Sequence, residues 1–168
     1  MEIVDAQPEH LDGIARIYRH YVESTPITFD LIDPDPAYWR KLLGETDQDK
    51  GHFFLVAIDD GGAVVGYAYS RKFRDRAAYD TTCETSIYVD PDAHGKGIGR
   101  TLYGRLVERL ESSPARLAVG GMTEPNPASA ALHESLGFTK VGTFEGVGVK
   151  FDKPWDVTWY QRSLVEAD

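Results

Sequence analysis

Apolar positions recur along this chain at two spacings, and the switches between them mark out its elements. EIVDA, residues 2–6, reads as a short strand. Pro8 suits a helix start, and Leu11, Ile14, Ile17, Tyr21 and Val22 follow at helical intervals. DPDPAYWRKLL predicts a second helix, with Pro36 near its first turn and Gly44 beyond its end. Three strand-like runs come next: residues 52–59, closed by the hairpin signal DDGG; residues 63–73; and residues 79–89, which follow the charged turn RDRAA and stop at Pro91. Ile98, Leu102, Leu106 and Leu110 then form a helical stripe, widened by Tyr103 and Val107. Residues 115–121 predict another strand. Asn126 and Pro127 read as an N-cap and first helical residue, with Gly137 as the C-cap of that helix. Two closing strands, residues 139–145 and 151–164, complete the order β-α-α-β-β-β-α-β-α-β-β. That order predicts an α/β (α+β) fold: a mixed, partly antiparallel central sheet with helices on both faces.

Composition narrows what such a fold does. The chain has 168 residues, of which 42% are hydrophobic, which matches one domain over residues 1–168 with a real core. A net charge of -9 argues against nonspecific binding to nucleic acid or to an anionic membrane. Cys83 is the single cysteine, so neither an internal disulfide nor a multi-cysteine metal site is expected, and no metal is expected at all. The opening MEIVDAQPEH does not resemble a secretion signal, and no apolar run is long enough to span a bilayer; a soluble cytoplasmic protein is the expectation.

The segment HGKGIGR carries the first chemistry. Gly95, Gly97 and Gly99 alternate with Lys96 and Ile98 directly before a helical stripe. A strand, a glycine-rich turn and a helix N-terminus together make an anion site. Glycine lets the backbone approach a phosphate, and the free N–H groups of the first turn and the helix dipole favour negative charge. Lys96 and Arg100 add charged donors. The spacing fits neither a P-loop nor a dinucleotide fingerprint. On the residues alone, a flexible turn before a surface helix is an equal alternative.

HGKGIGR also resembles the acetyl-CoA pyrophosphate loop of the GNAT acyltransferase superfamily: Gln or Arg, two residues, Gly, one residue, then Gly or Ala. Gly97 and Gly99 match, and His94 stands where the family usually has Gln or Arg. NPASAALHESLGF, residues 126–138, is similar to the second coenzyme A segment of that family. The closer resemblance, over nearly the whole chain, is to the phosphinothricin and methionine sulfoximine N-acetyltransferases. It rests on HYVESTPITF, FRDRAAYDTTCETSIYV, LHESLGF and VKFDKPWDVTWYQR, where Pro154 stands at the group's usual tryptophan and Trp155 follows. The resemblance implies the GNAT fold and acetyl-CoA as co-substrate. The coenzyme would contact Ile87, Tyr88, Val89, His94, Gly95, Lys96, Gly97, Ile98, Gly99, Arg100, Asn126 and Ser129. A small-molecule amine acceptor, an amino acid or its analogue, and a homodimer are implied as well.

Acetyl transfer from a thioester to an amine needs a neutral amine, a stabilised carbonyl oxygen, a proton for the leaving thiolate and reactants held at attack distance. Glu84 lies in the strand TCETSIYV, where a carboxylate is a poor strand former, on the same face as Thr82 and Ser86. An exposed strand charge is the bland alternative; the resemblance implies that Glu84 is the general base. His133 stands where many GNAT enzymes carry a tyrosine that protonates the thiolate, and the group has histidine there. The resemblance therefore implies a general acid, against a ring that merely fills space beside Leu132 and Leu136. A backbone N–H among Ile87, Tyr88 and Val89 is the expected oxyanion donor. Arg74 and Arg76, in the turn before the base strand, suit a carboxylate or phosphinate on the acceptor; a solvated turn is the alternative. Phe29, Tyr79 and Trp155 are candidate pocket walls. A different amine acceptor (aminoglycoside, polyamine or protein N-terminus) and a non-catalytic coenzyme A-binding module remain as competing functions.

Overall fold

The structure, a computed structural model, describes residues 1–165. Its elements follow the predicted order: β1 (Glu2–Asp5), α1 (Leu11–Ser24), α2 (Pro36–Gly44), β2 (Phe54–Ile58), β3 (Val64–Lys72), β4 (Thr82–Val89), α3 (Ile98–Glu111), β5 (Leu117–Thr123), α4 (Pro127–Ser135), β6 (Thr139–Lys150) and β7 (Lys153–Ser163). The strands form one seven-stranded sheet in the order β1-β2-β3-β4-β5-β7-β6. Only β4 and β5 run parallel; every other neighbouring pair is antiparallel.

Several boundaries differ from the sequence reading, two of them with a visible cause. β4 begins at Thr82, not at Tyr79, because Ala77–Tyr79 closes a 3-10 turn in which the Tyr79 N–H donates to Arg76 O. β6 runs on to Lys150, because a register shift between Phe144 and Gly148 absorbs the glycine-rich stretch that looked like a strand end. Gly44 is the last residue of α2 and not the residue beyond it.

Helices cover both faces because the central strands are apolar on both sides; β2, FLVAI, is buried almost throughout. On one face Ile14, Ile17 and Tyr18 of α1 and Trp39 of α2 pack on Phe54, Val56 and Tyr67. On the other, the α3 stripe of Leu102, Leu106 and Leu110 packs on Leu55, Ala57, Ala68 and Ala118. Each fully buried leucine there contributes about 1.5–3 kcal/mol.

Two features of this frame place the site. β4 pairs with β5 only at Thr82–Leu117, Cys83–Ala118 and Glu84–Val119, after which the two strands part. β4 keeps its β3 partner as far as Val89, and β5 keeps β7 as far as Thr123, so the sheet opens into a cleft between two intact halves. At the far edge, the β6–β7 hairpin folds back toward the segment after α1. There the buried Lys150 donates from Nζ to Thr28 O (2.8 Å) and Tyr21 O (3.3 Å). Gly148 is required at that contact, since a Cβ would run into the Phe29 ring.

Candidate active site

The cleft is prepared by the turn before α3. Gly97 is the N-cap, at φ 75°, and Gly95 sits at φ 78°, conformations that favour glycine. Nothing lies within 4 Å of the point where a Cβ would stand on either residue, so the backbone faces open space. The first-turn N–H groups of α3 precede any helical carbonyl partner. Together they form a cradle shaped for a phosphate, with Arg100 beside it. The cradle opens into a groove of about 400 Å³ that reaches along β4 to the start of the cleft.

Most of the predicted coenzyme contacts meet in that groove: Ile87, Tyr88, Val89, His94, Gly95, Gly97, Ile98, Gly99, Arg100, Asn126 and Ser129 all line it. Lys96 does not; its ammonium lies 3.5 Å from Asp92 O on the exposed side of the turn. Asn126 caps α4, its Oδ1 accepting from Ser129 N at 3.1 Å. His94 turns inward, where its Nε2 lies 3.2 Å from the Tyr21 hydroxyl. Tyr21 itself donates to Val89 O at 2.5 Å, which ties α1 to the end of β4.

The two predicted catalytic side chains sit on opposite faces at the point where the strands part. Glu84 lies on the α1/α2 face, in register with Arg71 of β3. Its Oε1 accepts from Arg71 Nη2 at 3.4 Å, and its side chain keeps 21% exposure. His133 lies on the α3/α4 face, buried, and lines the groove. Its Nδ1 is 2.8 Å from Ser129 O and its Nε2 is 3.3 Å from Tyr103 Oη. Burial pushes its pKa down, and the Ser129 carbonyl offsets part of that.

The remaining predicted residues are placed elsewhere. Arg74 stacks over Phe73 at 4.2 Å and donates to Phe73 O; neither it nor Arg76 pairs with Glu84 among the described residues. Tyr79 stays on its turn, 39% exposed, against Phe73. Phe29 is partly covered by the β6–β7 hairpin at Gly148. The Trp155 indole donates to Lys150 O at 2.9 Å and so braces the hairpin. The cation beside the candidate base is therefore Arg71, which sequence reasoning missed. The partner of residue 84 is set by strand register, and YSRKF carries no local sign of it.

Comparison with known proteins decides the family. The pattern described as "Acetyltransferase (GNAT) family" matches residues 14–138. The chain belongs to the GNAT acetyltransferase family. It is 42% identical over 157 residues to the phosphinothricin N-acetyltransferase of Streptomyces coelicolor, covering 93% of this chain and 92% of that one. It is 35% identical over 162 residues to the L-methionine sulfoximine/L-methionine sulfone acetyltransferase of Pseudomonas aeruginosa, covering 96% and 94%. Among solved structures, a GNAT superfamily phosphinothricin acetyltransferase from Sinorhizobium meliloti in complex with AcCoA superposes with a TM-score of 0.89 at 36% identity, covering 96% of this chain and 87% of that one. This acetyltransferase has the GNAT fold and uses acetyl-CoA as co-substrate. The open glycine cradle over the α3 N-terminus could hold the pyrophosphate of that molecule, and the groove along β4 could hold the arm that carries its thioester.

Proposed function

We propose that this acetyltransferase acetylates the amino group of a small amino acid or analogue, of the phosphinothricin or methionine sulfoximine type, by direct transfer with Glu84 as general base. The observation that carries the reading is the meeting of three features at one point. The coenzyme groove ends where β4 leaves β5, and Glu84 belongs to the last residue pair before the strands part. Acetyl-CoA supplies the activated acyl group there. An amine entering from the α1/α2 face meets Glu84, which takes its proton. Backbone N–H groups of β4 beyond Glu84 have lost β5 as a partner and are placed to steady the carbonyl oxygen.

The acceptor's anionic group is assigned to Arg71. One of its five N–H donors reaches Glu84 and the side chain keeps 42% exposure, so donors remain for a carboxylate. A carboxylate and a guanidinium side by side complement the ammonium and carboxylate of a free amino acid. Thiol release from acetyl-CoA across a panel of amino acids, their methyl esters and polyamines tests the reading. Free acids should lead. Equal kcat/KM for acid and ester, or a preference for polyamines, would overturn it.

The enzyme is further proposed to act as a homodimer through β6. That edge strand exposes Val141, Phe144, Val147 and Val149, each more than half exposed. Within it only Lys140, Glu145 and the buried Lys150 are charged, so two copies of a chain with net charge -9 approach there with little repulsion.

A further inference from the structure

Hydrogen bonds around His133 form a directed chain, and its direction follows from proton counting. Ser129 O only accepts, so His133 Nδ1, 2.8 Å away, carries a hydrogen. Val119 O likewise only accepts, so the single Thr85 hydroxyl proton points to it at 3.0 Å. Thr85 Oγ1 then has only lone pairs left for Tyr103, and the Tyr103 proton is directed to it at 2.7 Å. Tyr103 Oη is left as an acceptor facing His133 Nε2 at 3.3 Å. The last contact is a hydrogen bond only when Nε2 also carries a proton, that is, when the ring is an imidazolium. A neutral ring would set two lone pairs against each other in a buried place.

We infer that Tyr103 and Thr85 form a hydrogen-bond wire with His133: the wire favours the imidazolium in a site whose burial opposes charge, and so helps keep on Nε2 the proton that His133 gives to the leaving sulfur. This rests on the acetyl-transfer reading above. Nδ1 is pinned to Ser129 O, so the proton free to leave is the one on Nε2, and its contact is Tyr103. Tyr103, Thr85 and His133 line the same groove as the candidate coenzyme contacts. The balance is simple. A C–N bond forms, the C–S bond breaks and its electron pair leaves with sulfur. His133 gives its Nε2 proton to that sulfur, while Glu84 takes the proton lost by the amine. Thr85 is a positioning residue, since it acts by orienting the Tyr103 hydroxyl.

The surroundings leave the wire as the main support for charge. The His133 ring stacks on Tyr160 at 5.2 Å and meets Phe138 and Tyr103 edge-on. No Asp, Glu, Lys or Arg side chain hydrogen-bonds the ring among the described residues; Glu124 and Glu134 are the carboxylates whose field reaches the adjoining Tyr160. The wire also explains a glycine. A Cβ on Gly120 would stand 2.8 Å from His133 Nε2 and 3.4 Å from both Thr85 Oγ1 and Tyr103 Oη.

The test is the titration of His133 in the full chain, followed by NMR of ¹⁵N-histidine-labelled protein and assigned with His133→Gln. Tyr103→Phe keeps the stacking on Phe138 and removes only the hydroxyl. It should move the His133 midpoint down by about one pH unit, the size of a lost hydrogen bond to a charged group. It should also lower kcat about 10-fold or more, move the alkaline limb of its pH profile down equally and leave the KM for acetyl-CoA unchanged. Thr85→Val should shift the midpoint in the same direction, and Thr85→Ser should restore it. An unmoved midpoint in Tyr103→Phe, or a Thr85→Ser that behaves like Thr85→Val, overturns the wire. A moved midpoint with unchanged kcat overturns its use in catalysis. Failure of every amino-acid acceptor would count against the substrate reading alone, because the titration needs no acceptor.

Discussion

Two glycine-to-alanine substitutions should move stability in opposite directions, for reasons visible in the structure. At Gly104, within α3, the new Cβ would meet only Leu136 Cδ2, at 3.7 Å, an ordinary contact. Alanine removes the conformational cost of a helical glycine, about 0.5–1 kcal/mol. At Gly120 the Cβ would stand 2.8 Å from His133 Nε2, closer than packed atoms tolerate. The imidazole has little room to yield, held by Tyr160, Phe138 and Tyr103 and pinned through Nδ1 to Ser129 O. Overpacking of this kind costs about 1–3 kcal/mol. For a chain of 168 residues each kcal/mol moves Tm by about 2–4 °C. Gly104→Ala should therefore raise Tm by about 1–4 °C, and Gly120→Ala should lower it by about 2–12 °C. Displacement of the ring should also lower kcat by on the order of 10²-fold with acetyl-CoA still bound. Calorimetry and steady-state kinetics on the purified pair check both halves. A Gly120→Ala enzyme with wild-type Tm and kcat would refute the packing argument, because it would show that the imidazole moves aside freely.

Other outcomes follow from the same geometry. Glu84→Gln should lower kcat by about 10²–10⁴-fold at pH 7, and the loss should shrink at higher pH as free amine appears; near-normal kcat at pH 7 would place the base elsewhere. Gly97→Val puts a side chain into the phosphate cradle at φ 75°, so the KM for acetyl-CoA should rise sharply in a folded enzyme, as initial-rate measurements would show. Arg71→Ala should raise the KM for a free amino acid far more than for its methyl ester, whereas Arg74→Ala should treat the two alike. Burial holds the His133 pKa below its unfolded value near 6.5. Its contribution to stability is thus complete above that value and is lost as pH falls through the folded pKa; the fall in Tm below pH 6.5 should be shallower in His133→Phe. Val149→Lys places a charge on the β6 edge and should yield monomers in light scattering; an unchanged dimer would move the interface elsewhere.

The element order was legible because each helix and strand carries its own period. The α3 stripe of Ile98, Leu102, Leu106 and Leu110 and the glycines before it are local signals, and both the helix and the open glycine turn stand where that pattern puts them. What escaped depends on partners distant in sequence. Arg71 reaches Glu84 through the register of β3 on β4, which the alternation within either strand does not specify. Tyr103 read as extra width on an apolar stripe, because its hydroxyl gains meaning only from Thr85 and His133 on two other elements. The end of β6 escaped for a different reason: Gly146 and Gly148 imitate a turn, yet the strand bends through them to bring Lys150 under the segment after α1.

The short parallel seam between β4 and β5 has a mechanical meaning. Three residue pairs make up the strand ladder that joins the β1–β4 half of the sheet to the β5–β7–β6 half. Beyond them the two halves resemble the covers of a half-opened book, with α3 and α4 lying along one side. A ligand wedged in that opening touches both covers, so acetyl-CoA bound there would be a removable rivet as well as an acyl donor. At a concentration 100 times its Kd a rivet of this kind adds about 2.7 kcal/mol to the folded state. Amides of the spine, from Leu117 to Val119, are where hydrogen exchange should slow most on loading, and where an unloaded sheet should first come apart.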